Sequence, residues 1–270
     1  MPEIPDLEAI RGFFNARLPG QRIERAQQLI PVVFRVPKAE FAQVLEANTF
    51  GQTERRGKFL LFGFESGHLL VINPMLTGRF QYCPPSERRR ARTAFVLGLK
   101  NGQELRYFDE RLMGKAYLAR EDELAERVPR WREMGPDAMS PELTEEGFAP
   151  RLRTYRGRVK NVLVTEQCVA GIGNAYADEI LWAARLHPYR ERPTLSDEDG
   201  QRLYGALRSV LAWAIPIVAE RMMDELTYDE VRDHLRVHRR GGEPCPVCGT
   251  RISEITAGGR ITSFCRNCQQ

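Results

Sequence analysis

The feature that most constrains this chain is a set of four cysteines near its C-terminus. They form two CxxC pairs, Cys245 with Cys248 and Cys265 with Cys268, and sixteen residues separate the pairs. Two such knuckles at this spacing bring four thiolates to one tetrahedral Zn²⁺, in a site with no open coordination position. Disulfide bonds are the alternative, but the knuckle pattern and an expected cytosolic location argue against them. The sequence therefore predicts one structural Zn²⁺ without a catalytic role.

The composition is typical of an ordinary globular protein with room for two or three domains. Of the 270 residues, 42% are hydrophobic and 28% are charged. No apolar run is expected to span a membrane, and the N-terminus lacks the apolar core of a signal peptide. The sequence thus favours a cytosolic protein without a membrane partner. Cys83 and Cys168 stand alone and are interpreted as packed thiols.

Positive charge is concentrated in two stretches, although the net charge is only +4. Residues 151–160 carry four arginines and Lys160 without an acidic residue, and residues 236–270 carry six arginines against two glutamates. Basic stretches of this kind suit a phosphate backbone. A solvated charged face remains the alternative for either stretch taken alone.

The hydrophobic pattern changes along the chain and predicts three domains. Strand-like runs separated by turn signals favour a sandwich or barrel after a first amphipathic helix, and they cover residues 58–64, 68–73, 94–100 and 104–109. A Gly-, Pro- and Ser-containing linker follows, and helical periodicity then continues to about residue 235. The predicted domains are residues 1–132, 133–238 and 239–270, the last being a zinc finger.

The stretch "TEQCVAGIGNAYADEILWAARLHP", residues 165–188, contains a tight turn before a helix. Gly171 and Gly173 frame the turn, and Asn174 opens the helix. Backbone N–H groups at such a helix start form an anion site. Tyr176 occupies the position of the third glycine of a dinucleotide-binding fingerprint, so this pattern favours phosphate and excludes that fingerprint.

The N-terminal "MPEIPDL" allows two interpretations. Removal of Met1 would leave the nitrogen of Pro2 as a secondary amine, and an α-amine with a pKa near 8 is partly neutral and nucleophilic at neutral pH. The alternative is that the prolines only lead into the first helix, because proline is favoured in a first helical turn.

Taken together, these features resemble the formamidopyrimidine-DNA glycosylase / endonuclease VIII family over nearly the whole chain. The resemblance rests on the N-terminal PE-x-P, the "GIGNAYADE" stretch and the four-cysteine finger. It implies an α+β fold: an N-terminal helix plus β-sandwich, a helical domain with a helix-two-turn-helix motif, and a zinc-finger hairpin that enters DNA. It also implies a monomeric base-excision-repair enzyme, a DNA glycosylase and AP lyase acting on damaged double-stranded DNA.

The resemblance assigns catalytic roles to residues of the N-terminal domain. Pro2 matches the catalytic proline, Glu3 matches the acid that follows it, and Lys58 matches a lysine that holds a phosphate near the lesion. Asp6 stands where the family usually has Glu, and it is expected to support the first helix. Glu179 matches a carboxylate that lies close to the catalytic amine.

DNA contacts are implied for a further set of residues. Lys160, Asn174 and Arg260 match phosphate-binding positions, and Arg111 matches the arginine that faces the orphaned base. The wedge that fills the gap left by a flipped nucleotide is assigned to Leu76, in whose place the adjacent Met75 could serve instead, and to Met113. Met113 replaces the phenylalanine of the guanine-lesion enzymes, so an apolar wedge is kept without aromatic stacking. For Leu76 and Met113, a plain core position is the alternative.

The predicted lesion is less specific than the predicted reaction. Residues 220–240 look short and lack glycine, whereas enzymes that favour 8-oxoguanine carry a glycine-rich capping loop there. Ring-opened formamidopyrimidines or oxidised pyrimidines are therefore favoured as substrates. A non-catalytic DNA-binding relative and an unrelated zinc-ribbon protein are the competing classes; Pro2, Glu3 and Lys58 argue against the first, and "GIGNAYADE" with PE-x-P argues against the second.

Overall fold

The computed structural model describes residues 1–270, which form two compact units. The first unit comprises Met1–Arg132 with Val218–Val231, and the second comprises Glu133–Ile217 with Arg232–Gln270. By compactness the finger falls in the same unit as the helices that precede it. The three sequence-based domain ranges remain predictions.

Helices and strands alternate in a mixed order. The helices are α1 (Ile4–Asn15), α2 (Lys38–Leu45), α3 (Leu124–Arg127), α4 (Glu145–Arg153), α5 (Val159–Leu163), α6 (Asn174–Ala183) and α7 (Asp197–Arg221). The strands are β1 (Ile23–Gln28), β2 (Phe50–Arg56), β3 (Phe59–Phe64), β4 (His68–Asn73), β5 (Gly78–Cys83), β6 (Thr93–Leu99), β7 (Glu104–Asp109), β8 (Lys115–Arg120), β9 (Ser253–Ala257) and β10 (Arg260–Phe264).

Two four-stranded antiparallel sheets pack face to face in the first unit. Their strand orders are β1-β6-β7-β5 and β2-β3-β4-β8. The inner faces share an aromatic core, where the ring centroids of Phe62 and Phe80 lie 5.7 Å apart and those of Phe80 and Tyr107 lie 5.2 Å apart. Phe14 of α1 joins this core, 5.3 Å from Phe62. The predicted α+β class with an N-terminal β-sandwich is confirmed.

The outer face of the first sheet is also covered. Alternate residues of a strand point to opposite faces, so Leu105 and Tyr107 of β7 enter the core while Glu104, Arg106 and Phe108 face outward. All three outward residues are nevertheless at most 6% exposed.

The second unit is mainly helical, and it contains Asp197–Ile217, which is most of the long helix α7. By length and composition alone this helix could cross a membrane, contrary to the expectation from the sequence. Leu203, Leu207 and Leu211 are fully buried and recur every fourth residue, so one face of the helix packs into the interior. This packing is typical of a core helix in a globular protein.

The finger ends in a hairpin formed by β9 and β10. Ala257 pairs with Arg260 across the two-residue turn Gly258–Gly259, whose φ angles are 56° and 73°. A type I′ turn needs positive φ at both central positions, which glycine adopts without strain. The turn therefore presents the exposed Arg260 at the tip of the hairpin.

Candidate functional site

The N-terminal residues are fixed at the start of α1. The carboxylate of Asp6 accepts a hydrogen bond from the backbone N–H of Glu3 at 2.8 Å, which closes the first turn. Glu3 and Asp6 are only 4% and 1% exposed, and Pro2 is buried as well. With Met1 in place, the nitrogen of Pro2 is an amide, and the Met1 ammonium lies 2.9 Å from Glu230 Oε1.

The register between α1 and β2 brings Lys58 to the same end of the helix. The Asn15 side chain exchanges two hydrogen bonds with the backbone of Thr53, at 2.9 and 2.7 Å, and Arg55 Nε donates to Glu8 Oε1 at 2.6 Å. Helix and strand therefore run in opposite directions, and the strand leads toward the N-terminus of α1. Lys58, 8% exposed, lies in the turn just after β2.

Two loops of the first unit carry the predicted wedge residues. Leu76 and Met113 are 37% and 36% exposed, so both side chains are accessible at the surface. Their backbones are strained nearby, since Met75 and Leu112 have φ angles of 51° and 53°. Strain of this kind persists where the surroundings enforce it, and it concentrates at functional sites.

Asp109, at the end of β7, holds both wedge loops in place. Its fully buried carboxylate accepts hydrogen bonds from the Thr77 hydroxyl, from Arg111 N at 3.2 Å and from Gly114 N at 2.5 Å. Arg111 N also lies 3.0 Å from Thr77 Oγ1. One side chain thus connects the loop of Leu76 to the loop that carries Arg111 and Met113.

Asp109→Ala is expected to destabilise the first unit and to disorder the wedge. Removing the carboxylate leaves buried donors without an acceptor, at about 1–3 kcal/mol each, so we expect a loss of about 3 kcal/mol. Chemical denaturation followed by the fluorescence of Trp131 measures this loss, in a chain whose Trp182 and Trp213, both in the second unit, are replaced by phenylalanine. Asp109→Asn keeps one acceptor oxygen and serves as the milder control. A stability equal to that of the unaltered chain for Asp109→Ala would contradict this role.

In the second unit, the predicted phosphate-binding residues converge beside Arg260. Asn174 Nδ2 donates to the carbonyl oxygen of Ile261 at 2.6 Å, and Lys160 Nζ donates to the same oxygen at 3.0 Å. Lys160 also donates to Thr262 Oγ1 at 2.9 Å. These side chains of α6 and α5 therefore fix the start of β10, and the structure brings Lys160, Asn174 and Arg260 together.

A buried acidic pair on α6 organises the surrounding backbone. Asp178 lies 2.6 Å from Lys160 Nζ and 2.7 Å from His238 Nδ1, and it accepts a hydrogen bond from Ser263 N at 3.1 Å. Glu179 accepts backbone hydrogen bonds from residues 236, 237 and 238 at 2.8–3.1 Å. Burial raises the pKa of the Glu179 carboxyl, and these amide hydrogen bonds oppose that shift. Both acids thus connect α6 to the segment leading into the finger.

The four finger cysteines are arranged to hold one Zn²⁺. Their sulfur atoms all lie within 4.8 Å of one another, with 3.8 Å between Cys245 and Cys268 and 3.4 Å between Cys248 and Cys265. Tetrahedral Zn–S bonds of about 2.3 Å require sulfur separations of about 3.8 Å, so the site fits zinc. Hydrogen bonds from Thr250 lower the pKa of Cys248 to about 5, whereas burial raises the pKa of Cys265 and Cys268.

The other two cysteines lie away from the finger. Cys168 is fully buried, and burial raises its pKa to about 12. Cys83, at the end of β5, is half-buried, and burial raises its pKa as well. Neither thiol is activated.

Two functional candidates, Asp109 and Asp178, escaped the sequence analysis. Each is a charged residue in an element that also carries large apolar side chains, "ELRYFD" and "NAYADEILWA". A carboxylate in such a position must find donors when it is buried, and this is the signal that could have identified both. Their partners, however, come from residues distant in the sequence, and the sequence pattern does not reveal these.

Family models match three successive parts of the chain. Residues 1–116 match the formamidopyrimidine-DNA glycosylase N-terminal domain, residues 134–224 match the formamidopyrimidine-DNA glycosylase H2TH domain, and residues 242–270 match the zinc finger found in FPG and IleRS. Together they cover all parts in which candidate residues were assigned.

Similar proteins and structures span the whole chain. A formamidopyrimidine-DNA glycosylase of Symbiobacterium thermophilum is 37% identical, over 100% of this chain and 89% of its own length, and one of Pelotomaculum thermopropionicum is 33% identical, over 100% and 99%. The structure superposes on Lactococcus lactis Fpg bound to abasic-site DNA with a TM-score of 0.91 and 26% identity, covering 100% of both chains. A complex of that enzyme with N7-benzyl-Fapy-dG DNA gives a TM-score of 0.91 and 27% identity, with the same coverage.

Proposed function

The chain belongs to the formamidopyrimidine-DNA glycosylase family, and on that premise we propose that Pro2 is the nucleophile with which it excises damaged bases. It is a base-excision-repair DNA glycosylase with AP lyase activity, and its partner is damaged double-stranded DNA. The observation that carries the assignment of Pro2 is the placement of Pro2, Glu3 and Lys58 at one end of α1.

The reaction begins with a nucleotide outside the duplex, because a stacked base cannot be reached. The neutral amine of Pro2, free once Met1 is removed, attacks C1′ of the flipped nucleotide, and the damaged base leaves with the glycosidic electron pair. The product carries both the proline nitrogen and the ring oxygen on C1′, and once the nitrogen has lost its proton, departure of the ring oxygen gives an iminium between the proline nitrogen and C1′. A secondary amine forms this ion readily, and the ion withdraws electrons from the sugar.

Glu3 moves protons in the steps that follow. Its carboxyl group protonates the sugar ring oxygen as the C1′–O4′ bond breaks, which opens the ring and gives the iminium. Its carboxylate then accepts protons during β- and δ-elimination of the two phosphates. Water then hydrolyses the iminium, which releases the sugar fragment as an aldehyde and regenerates the amine of Pro2, and a one-nucleotide gap remains. Lys58 holds a phosphate beside the lesion, and Asp6 supports the group by fixing the backbone of Glu3.

The second unit and the wedge loops position the DNA. Lys160, Asn174 and Arg260 grip phosphates without reading sequence, and Glu179 supports the segment before the finger. Arg111 faces the orphaned base while Leu76, Met75 and Met113 fill the gap in the stack. The four cysteines, with one Zn²⁺ bound, keep the hairpin of Arg260 folded. We propose that the enzyme acts as a monomer in the bacterial cytosol, on the nucleoid.

Ring-opened formamidopyrimidines are the proposed lesions. The similar proteins are named formamidopyrimidine-DNA glycosylases. In this chain, residues 222–237, which follow α7, contain no helix and no strand. They also contain no glycine, unlike the capping loop associated with 8-oxoguanine preference. Oxidised pyrimidines are the second candidate, supported by the same short segment.

A panel of five duplexes tests the proposed function. They carry formamidopyrimidine, 8-oxoguanine, thymine glycol, dihydrouracil or an abasic site, and single-turnover cleavage is measured for each. We expect formamidopyrimidine to be excised faster than 8-oxoguanine, and the abasic duplex to be cleaved as well. Fastest excision of thymine glycol or dihydrouracil would establish the pyrimidine preference instead. No cleavage of any duplex by protein lacking Met1 would contradict the enzymatic assignment.

A further inference from the structure

An arginine-rich loop crosses the outer face of the first sheet. This arginine loop, residues 84–92, connects β5 to β6 and contains four arginines, Arg88, Arg89, Arg90 and Arg92, against the single acid Glu87. Every residue of the loop is exposed. The side chains of Arg88 and Arg92 are not paired with any carboxylate. Positive charges this close together on one short segment repel one another, which is unfavourable unless an anion binds there.

The arginine loop is held rigidly from below by Arg106. This side chain is fully buried, donates to Glu104 Oε2 at 2.6 Å, and donates to the carbonyl oxygens of Glu87, Pro84 and Pro85 at 2.9–3.4 Å. Burying a charged group costs desolvation free energy, and here the hydrogen bonds of the guanidinium offset that cost. The outcome is a loop whose backbone is fixed while Arg88 and Arg92 face solvent. Arg89 Nη2 lies 3.8 Å from Glu104 Oε1.

A second anchor fixes the middle of the loop. The guanidinium of Arg90 lies 4.3 Å above the ring of Tyr228, whose ring packs edge-on at 5.5 Å against Phe108 of β7. Thr93 Oγ1 donates to the carbonyl oxygen of Arg90 at 2.7 Å. A cation held in this way loses little conformational entropy when it meets an anion.

The end of the loop lies beside the wedge. The N–H of Asp109 donates to the carbonyl oxygen of Arg92 at 3.2 Å, and the side chain of Asp109 accepts from Arg111 N. Arg92 has a φ of 59°, so it is a third strained residue around Asp109 besides Met75 and Leu112. Two bonds through one aspartate therefore connect the arginine loop to the arginine assigned to the orphaned base.

The loop then leads away from the wedge along β7. Glu87 lies above Arg106 and Arg92 lies beside Asp109, so the arginines extend over three strand residues, or about 10 Å. This length corresponds to about three base-pair steps of duplex DNA. Glu87, Asp224 and Glu225 line a cavity of about 220 Å³ at the far end, and the exposed Glu110 follows Asp109 at the wedge end.

We propose that the arginine loop is a second phosphate-binding surface, which holds the DNA backbone beside the wedge for about three base pairs beyond the lesion. The inference rests on the proposed function, since it takes the wedge loops as the point where the duplex is opened. The chemistry required of the partner is a regularly spaced polyanion, and a duplex that already contacts Arg111 supplies it. Arg88, Arg90 and Arg92 follow that backbone without reading sequence.

The salt dependence of binding tests the proposal. The test variant is the double substitution Arg88→Gln/Arg92→Gln. The control is Arg22→Gln/Arg120→Gln, which also removes two positive charges, but from exposed arginines at strand ends remote from the wedge loops. With an abasic-site duplex, loss of two phosphate contacts makes the slope of log Kobs against log salt shallower by about two units. Between about 50 and 200 mM salt, the unaltered chain then loses about 16-fold more affinity than the loop variant. The control variant keeps the original slope.

A charge-conserving variant and trimmed duplexes complete the test. Arg88→Lys/Arg92→Lys is expected to keep the original slope. When the duplex is shortened on one side of the abasic site, one of the two shortened duplexes should lose more affinity for the unaltered chain than for the glutamine variant. Equal slopes for the loop and control variants would overturn the proposal while the proposed function stands. Failure of the unaltered chain to bind or cleave the abasic duplex would instead count against the proposed function.

Discussion

Protein that retains Met1 is expected to be inactive in strand cleavage, because the nitrogen of Pro2 is then an amide and cannot form an iminium. We expect a loss of about 10³-fold or more, the scale seen when a catalytic nucleophile is removed. In the structure the Met1 ammonium is paired with Glu230, 2.9 Å away, so a retained methionine is held in place. Single-turnover cleavage of an abasic duplex measures the effect.

The same polypeptide supplies the control. Protein is synthesised with methionine aminopeptidase inhibited, and one half is then treated with the purified aminopeptidase. Treatment changes only the presence of Met1, so recovery of full cleavage in that half assigns the loss to the blocked amine. Equal cleavage by both halves would contradict a role for Pro2 as the nucleophile.

Cys265→Ser is expected to unfold the finger and to leave the sandwich folded. The sandwich has a core of its own, whereas the finger depends on its metal for folding, since binding free energy in such small sites is folding free energy. Loss of the hairpin removes Arg260 and the carbonyl oxygen on which Lys160 and Asn174 converge. If two charge-assisted hydrogen bonds to phosphate are lost, each worth about 1.5–3 kcal/mol of binding free energy, DNA affinity falls by about 10²- to 10⁴-fold.

Zinc content, proteolysis and DNA affinity are measured together on this variant. We expect less than one Zn²⁺ per chain, cleavage by protease within residues 239–270, and a protected sandwich. Cys83→Ser is the matched control, because it removes a thiol outside the finger and should keep zinc, protection and affinity. A zinc-free protein that binds DNA with unchanged affinity would show that the finger is dispensable.

The four sandwich strands predicted from the sequence are all central strands of their sheets. Residues predicted as strands became β3, β4, β6 and β7, which are the central strands of the two sheets. The four strands that were missed, β1, β2, β5 and β8, are the edges. Central strands are covered on both sides and read as apolar runs, whereas an edge strand such as "IERAQQ" carries exposed polar residues that hide its pattern.

In the candidate site, too, some residues could be predicted from the local sequence and others could not. The zinc ligands were predicted correctly as a group, because CxxC pairs encode their geometry locally. Asp109 and Arg106 were not anticipated, since their roles depend on partners such as Gly114 and the carbonyl oxygens of the arginine loop. The burial of Lys160 against Ile261 and Asp178 was equally invisible, because β10 lies about a hundred residues away in the sequence.

The identity of the residue that bonds to DNA tests the central claim most directly. Borohydride added during reaction with an abasic duplex reduces the iminium to a stable amine, and mass spectrometry of the digested complex locates it. We predict a single adduct on the nitrogen of Pro2, in a peptide that begins at Pro2. An adduct on Lys58, or one formed at an undiminished rate by chains that retain Met1, would contradict the mechanism.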